Sequence, residues 1–273
     1  MYVLLNDKVL ADKQTKSFDN RAFKYGDGGF ETIRVINGEP MHVDLHFARL
    51  INTCLLLGIE PAKEFTPVSF EESLKKSIAV NSISKGGRIR YTYFRSGGGK
   101  YAPETNELET FIEVEPLDVN QYELNKKGLT CGICDGITLN YHQFSAYKTL
   151  NALPYVMASR YMQEKKLDNV LLLNDKQCIV EFANANIFLI KGNSVFTPPI
   201  TEGCIDGVMR KVIIEHFRNK NYKVHIDPIH VNALQQAEEV FACNSIIGIQ
   251  WVAAIGNKRY LNSHLKDFLV GLL

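Results

Sequence analysis

The sequence predicts an α/β (α+β) chain folded as two domains, and three observations lead there. Its 273 residues suffice for one large core or two smaller ones. Runs with strand-like alternation are interleaved with runs whose apolar residues recur at helical spacing. Around Glu115-Pro116-Leu117-Asp118 this regular pattern breaks, so we expect a domain over 1–115, a linker over 116–122 and a second domain over 123–273.

In the first part, Asn37-Gly38 separates F-E-T-I-R-V-I from E-P-M-H-V. Both positions tolerate positive φ, so the flanking strands are predicted to pair antiparallel through a two-residue turn. Asp44 is a plausible helix N-cap; Phe47, Leu50, Ile51, Cys54 and Leu55 then recur at helical spacing until Gly58 supplies a stop. His46 and Arg49 stand three apart on that helix. Ser69 and Glu72 read as a capping box ahead of a helix running through Val80, followed by strands R-I-R-Y-T-Y-F and T-F-I-E-V. Between those strands lies Ser96-Gly97-Gly98-Gly99-Lys100-Tyr101. It lacks the spacing and the Ser or Thr of a Walker loop, so it reads as a mobile hairpin connection of the kind that covers active sites.

The second part is predicted to hold a strand over 128–133, an irregular stretch with Lys148, and a helix from about Pro154 to Lys166. Pro154 suits a first helical turn, where a missing N–H costs nothing. Strands N-V-L-L-L and C-I-V-E follow, then a strand pair turning at Lys191-Gly192-Asn193-Ser194 and a stop at Pro198-Pro199. A helix over 206–218, the segment V-F-A-C-N-S, closing strands and a final amphipathic helix over 264–272 complete the reading.

Charge is nearly balanced, Lys+Arg 31 against Asp+Glu 30, with the basic residues scattered. Nothing there draws a phosphate backbone or an anionic membrane, so neither nucleic acid nor membrane is expected as a partner. The opening M-Y-V-L-L is too short for a signal-peptide core, and no apolar run approaches the roughly 20 residues of a membrane span; a cytoplasmic protein is expected. Six cysteines in apolar context suit reduced, buried thiols. Cys131 and Cys134 form one Cys-x-x-Cys pair on a predicted strand, without a second pair or histidines at ligand spacing, so no metal site is expected.

The chemistry concentrates between Glu181 and Arg210, which reads E-F-A-N-A-N-I-F, V-F-T and I-D-G-V-M-R, with Lys148 upstream in Y-K-T-L-N. Further upstream stand Tyr25-Gly26-Asp27-Gly28-Gly29-Phe30-Glu31-Thr32 and His46-Phe47-Ala48-Arg49-Leu50. With these motifs, essentially the whole chain resembles the class IV pyridoxal-phosphate enzymes, whose members include branched-chain and D-amino-acid aminotransferases and 4-amino-4-deoxychorismate lyase. The resemblance implies the fold type IV architecture, with a small N-terminal α+β domain and a larger, β-barrel-like C-terminal domain carrying helices. It also implies pyridoxal 5'-phosphate as cofactor, a small amino substrate, and a homodimer whose sites lie between domains.

Such a cofactor requires a Schiff-base lysine, a carboxylate facing the pyridine nitrogen, a phosphate cradle and control over which bond breaks. By resemblance, Lys148 is the lysine and the base for the following proton transfer, while Glu181 is the carboxylate that keeps the ring nitrogen protonated. Ile205 and Asp206 at a helix start, with Arg49, would cradle the phosphate, and Asn244 and Ser245 would lend it small polar groups. Asn186 reads as holding the backbone around Glu181, and His46 as a satisfied structural histidine. Tyr25 and Thr32 are expected to line the substrate, with Arg90 and Arg95 competing for its carboxylate. Asp206 departs from the neutral residue that relatives often place there, so its side chain is expected to cap the helix facing away, leaving main-chain N–H groups for the ligand.

Three segments favour the lyase: K-T-L-N-A-L, Y-G-D-G-G-F and F-A-C-N-S. The expected reaction yields 4-aminobenzoate and pyruvate, a step of folate biosynthesis. Against it, Glu31 in F-E-T-I-R resembles the aminotransferases, and a branched-chain or D-amino-acid aminotransferase using 2-oxoglutarate is the alternative. A non-catalytic binding protein is disfavoured by the joint presence of Lys148, Glu181 and Arg49.

Overall fold

Antiparallel pairing builds the first part of the chain. The structure is a computed structural model that describes residues 2–11, 20–263 and 265. It divides into two compact units, one formed by the residues up to Gln121 with Tyr147–Asn151, the other by Tyr122–Ala146 with the residues from Ala152 onward.

In the first unit the strands are β1 (Tyr2–Leu5), β2 (Lys8–Ala11), β3 (Gly28–Ile36), β4 (Glu39–Pro40), β5 (Gly86–Arg95) and β6 (Leu108–Leu117), arranged in the order β2-β1-β6-β5-β3-β4. Asn37 and Gly38 turn β3 into β4 with φ of 52° and 77°, the two positive values their composition predicts. Helices α2 (Val43–Leu57) and α3 (Pro67–Val80) cover the sheet over a core that includes Ile33, Val35, Leu50, Phe70, Leu74 and Ile89. Two predicted caps move. His42, not Asp44, caps α2, and Asp44 sits inside the first turn, where its charge favours the helix dipole. The capping box of α3 is Thr66 with Ser69 rather than Ser69 with Glu72, because Pro67 already fits the first helical position. Gly58 ends α2 at φ 65°, as expected.

Two further tethers shape this unit. Arg21, on the short helix α1 (Arg21–Tyr25), donates to the carbonyls of Gly98 and Lys100, so the glycine-rich connection between β5 and β6 is held rather than loose. The segment carrying Lys148 adds itself to the start of β3: Phe30 N–H donates to the Lys148 carbonyl at 2.9 Å and Leu150 N–H to the Gly28 carbonyl at 3.0 Å.

The second unit is a mixed sheet with helices. Its elements are β7 (Leu129–Thr138), α4 (Leu153–Glu164), β8 (Asn169–Leu173), β9 (Ile179–Phe182), β10 (Asn186–Lys191), β11 (Ser194–Thr197), α5 (Val208–Asn219), β12 (Lys223–Ile226), β13 (Glu239–Asn244), β14 (Gly248–Ile255) and β15 (Lys258–Arg259). The order is β12-β11-β10-β13-β14-β7-β8-β9, with β15 beside β14. β8 is buried throughout, as are its neighbour β9 and most of β10, which explains their largely apolar sequence. Phe188 and Phe241 stack across β10 and β13 with centroids 5.0 Å apart.

Cys131 and Cys134 lie on β7, and burial pushes the Cys131 thiol up to about 12. Among the described residues no group of three or more His, Cys, Asp or Glu side chains is arranged to hold a metal ion, and no helix is long and apolar enough to cross a membrane. The helix predicted over 264–272 lies outside the described residues.

Candidate functional site

Strand alternation sets the site residues of the first unit. Odd positions of β3 from Glu31 to Val35 are buried beneath α2 and α3, which turns Phe30 and Thr32 to the opposite face. Thr32 pairs with Arg90 of β5 on that face. The Arg90 guanidinium lies over the Phe30 ring, 3.8 Å from its centroid, and the Lys148 amine stands 4.4 Å from the same centroid. Burial lowers the Arg90 pKa and Arg88 adds to the effect, while Glu113 opposes it. An anionic ligand there would recover what burial costs.

Arg95 must be corrected. Its donors go to both oxygens of Asp27, to Asn106 and to the carbonyls of Leu57 and Gly58, which accounts for all five N–H groups of a guanidinium. With no donor left over, it ties β5 to the end of α2 and to Asp27 instead of meeting a carboxylate, and Arg90 holds that candidacy alone. Asp27 also binds Arg21 at 2.7 Å. Tyr25 faces the same tethered connection: its ring lies 5.8 Å from that of Tyr101, with Arg21 over it at 5.0 Å.

Arg49 is buried and grips Glu31 with two nitrogens, Nε donating at 2.8 Å to one carboxylate oxygen and Nη2 to the other. The second oxygen also takes a hydrogen bond at 2.6 Å from Nδ1 of His46, whose Nε2 is buried without a hydrogen-bond partner. Burial keeps His46 below its ordinary pKa, so it enters as a neutral imidazole. Burial alone would raise the Glu31 pKa; Arg49 and the two hydrogen bonds outweigh it and hold the carboxyl at about 2. His46 has the structural partner expected from sequence in Glu31, but with Nε2 unpartnered it is not the fully satisfied histidine expected.

In the second unit Glu181, 3% exposed, is the penultimate residue of β9. One oxygen accepts from the Tyr155 hydroxyl at 2.7 Å, the other from the Asn186 amide at 3.0 Å, and both lie 3.3 Å from the Ile205 N–H. Asn186 also donates to the Ile205 carbonyl at 2.9 Å, the backbone-holding role expected of it. Gly207 follows from that contact: a Cβ there would sit 2.0 Å from the Asn186 oxygen.

The phosphate cradle is corrected in detail. Asp206 does not cap α5, whose N-cap is Gly207 without a side-chain bond; its carboxylate pairs with Lys211 at 2.7 Å and Arg210 at 3.6 Å. The N–H of Asp206 donates to the Ala146 carbonyl, and that of Ile205 faces Glu181, so these donors are engaged within the protein. The Asn244 side chain accepts from the N–H groups of Ile246 and Ile247 and donates to the Asn184 carbonyl, which makes it a turn former. The Ser245 carbonyl accepts from Tyr122.

The donor set around Glu181 suits a pyridine ring. A phenol, an amide and a backbone N–H orient a buried carboxylate, and none of the three brings positive charge, which a protonated ring nitrogen would add. Sequence reasoning missed Tyr155, since a tyrosine one residue after a helix-opening proline gives no signal of its partner.

The profile of the amino-transferase class IV family matches residues 28–255. An aminodeoxychorismate lyase of Vibrio harveyi is 26% identical over 238 residues, 86% of either chain. The branched-chain aminotransferase of Thermoproteus uzoniensis superposes with a TM-score of 0.89 at 19% identity, covering 100% of this chain and 93% of its own. A 4-amino-4-deoxychorismate lyase structure from Pseudomonas aeruginosa gives 0.85 at 23%, covering 98% and 96%. The likeness to both structures is one of fold, the fold type IV architecture. Because the family profile spans most of the sequence, including the lysine, glutamate and helix-start motifs described above, this chain is an enzyme of the class IV amino-transferase family.

Proposed function

We propose that the protein is a pyridoxal-phosphate-dependent 4-amino-4-deoxychorismate lyase that forms 4-aminobenzoate and pyruvate. One observation supports it most: two of the three segments that favour the lyase in sequence are joined in space. The bend Y-G-D-G-G-F carries Gly26 at φ 63°, with Asn151 of K-T-L-N-A-L packed against it and donating to its carbonyl at 3.3 Å. Thr149 bridges Gly29. The segment of the lysine is therefore held against the start of β3 by contacts between these two motifs.

When bound, the cofactor supplies an electron sink for the carbon that carries the amine. The protein's part is then assigned residue by residue. The Lys148 amine takes the proton from the substrate ring carbon. Arg90, which contacts the same Phe30 ring, holds a substrate carboxylate in a fixed direction. Glu181 holds the proton at the ring nitrogen, and Arg49, fixed by Glu31, serves the phosphate. As the ring becomes aromatic, the electron pair freed by proton loss expels the enolpyruvyl oxygen, and a returned proton completes pyruvate.

Transamination is the competing reading, for which Glu31 was the sequence argument. Glu31 is fully buried and consumed by Arg49 and His46, so it bears on how Arg49 is held rather than on which reaction follows. Incubation of the cofactor-loaded protein with aminodeoxychorismate, without any keto acid, is expected to release 4-aminobenzoate and pyruvate, and Lys148→Ala to abolish both. Strict dependence on 2-oxoglutarate would overturn the lyase in favour of an aminotransferase.

A further inference from the structure

Glu181 receives its shortest hydrogen bond from Tyr155, in the first turn of α4, at 2.7 Å. That helix begins five residues after Lys148 in the chain, so the element that follows the lysine also supplies a donor to the carboxylate. The phenol is largely buried. Burial, then the charge of Glu181, push its pKa far above the ordinary tyrosine value, so the hydroxyl stays protonated and can only donate to the anion. Asn186 and the Ile205 N–H approach the same carboxylate from β10 and from the residues before α5. The thiols of Cys204 and Cys243 also feel Glu181, but burial pushes the first up to about 12 and the second higher, so neither competes as an anion; Arg210 acts on the same two thiols.

We infer that Tyr155 is a positioning residue that acts through Glu181, fixing the plane and the anionic state of the carboxylate toward a protonated ring nitrogen. The inference rests on the pyridoxal-phosphate reading and is independent of whether the reaction is elimination or transamination. Its physical basis is that a hydrogen bond to a charged group outweighs one between neutral groups. A carboxylate held by three donors from different elements keeps one orientation, whereas one relieved of its shortest bond can rotate or take up a proton.

The test is cofactor affinity rather than turnover. In the cofactor-free protein, Tyr155→Phe is expected to weaken pyridoxal 5'-phosphate binding about tenfold. It should leave unchanged the affinity for the 1-deaza analogue, which lacks the ring nitrogen. In a Glu181→Gln background, the same change is expected to cost nothing more. An equal loss with both ligands, or additive losses in the double variant, would mean that Tyr155 merely supports α4, and the inference fails. Unchanged affinity for pyridoxal 5'-phosphate itself also overturns it. Should the Phe variant not fold, 3,5-difluorotyrosine at 155, a more acidic donor, is expected to alter the affinity for pyridoxal 5'-phosphate alone. A wild-type protein that binds no pyridoxal 5'-phosphate at all would instead sink the cofactor reading, and this inference with it.

Discussion

Glu31 carries a full charge inside the first unit because a guanidinium and an imidazole meet both its oxygens. Replacing it leaves Arg49 buried without its anion, so Glu31→Gln is expected to destabilise the protein by about 3 kcal/mol in urea unfolding. The pH dependence follows from its lowered pKa. The ordinary value is 4.5 and the folded value about 2, so the unfolded chain binds the proton more readily. The stability that Glu31 contributes is complete above about 4.5 and drains away as pH falls through about 2, a slope the Gln variant should lack. If both proteins lose stability in parallel over that window, the buried pair is not the source. At this scale the motifs around Lys148 and Glu181 stand out in sequence, and the structure adds the donors that surround Glu181. Arg95 was misread and Tyr155 overlooked for one reason: a side chain's partner lies far along the chain, 68 residues for Asp27 with Arg95 and 26 for Tyr155 with Glu181.

Among elements, the approach to α5 is the tightest piece of construction. Gly207 has an ordinary φ of −65°, so its glycine answers a close approach by Asn186 rather than a backbone demand. Gly207→Ala should force Asn186 off both Glu181 and the Ile205 carbonyl, at a cost of about 2 kcal/mol in denaturant unfolding. Unchanged stability would mean that Asn186 moves freely and does not hold Glu181. Helices α2 to α5 were read from sequence to within a few residues, since periodicity records which face each element buries, whereas the short α1, β1, β2 and β12 were not read. The caps of α2 and α3 were displaced because several residues near each start could serve, and the choice fell to the backbone path entering the helix.

For the whole molecule, the division into units is the informative feature. The chain does not pass once from the first to the second: Tyr147–Asn151 joins the first unit although residues on both sides belong to the second. A sequence break near 116–122 marks one crossing, yet β6 continues through Pro116 and Leu117 in register with Gly87 and Gly86. On the exposed side of α4, Leu153, Val156 and Met157 form an apolar stripe at helical spacing, 70%, 53% and 42% exposed. The resemblance implies a homodimer, and on that expectation we propose that the second copy covers this stripe. Sedimentation should give twice the mass of one chain, and Leu153→Glu with Met157→Glu should shift it toward one. A wild-type protein that sediments as a single chain would end that proposal.

Periodicity, turn chemistry and the motif lysine and glutamate were properties of the sequence alone, since each depends on near neighbours along the chain. The tertiary structure decided which arginine stays available to a ligand, which donors orient Glu181 and which unit carries Lys148. Those outcomes depend on how β3, β5, α2, α4 and β9 spend their hydrogen-bonding groups once packed. No local pattern records that spending, because a donor is exhausted only by acceptors that folding brings to it.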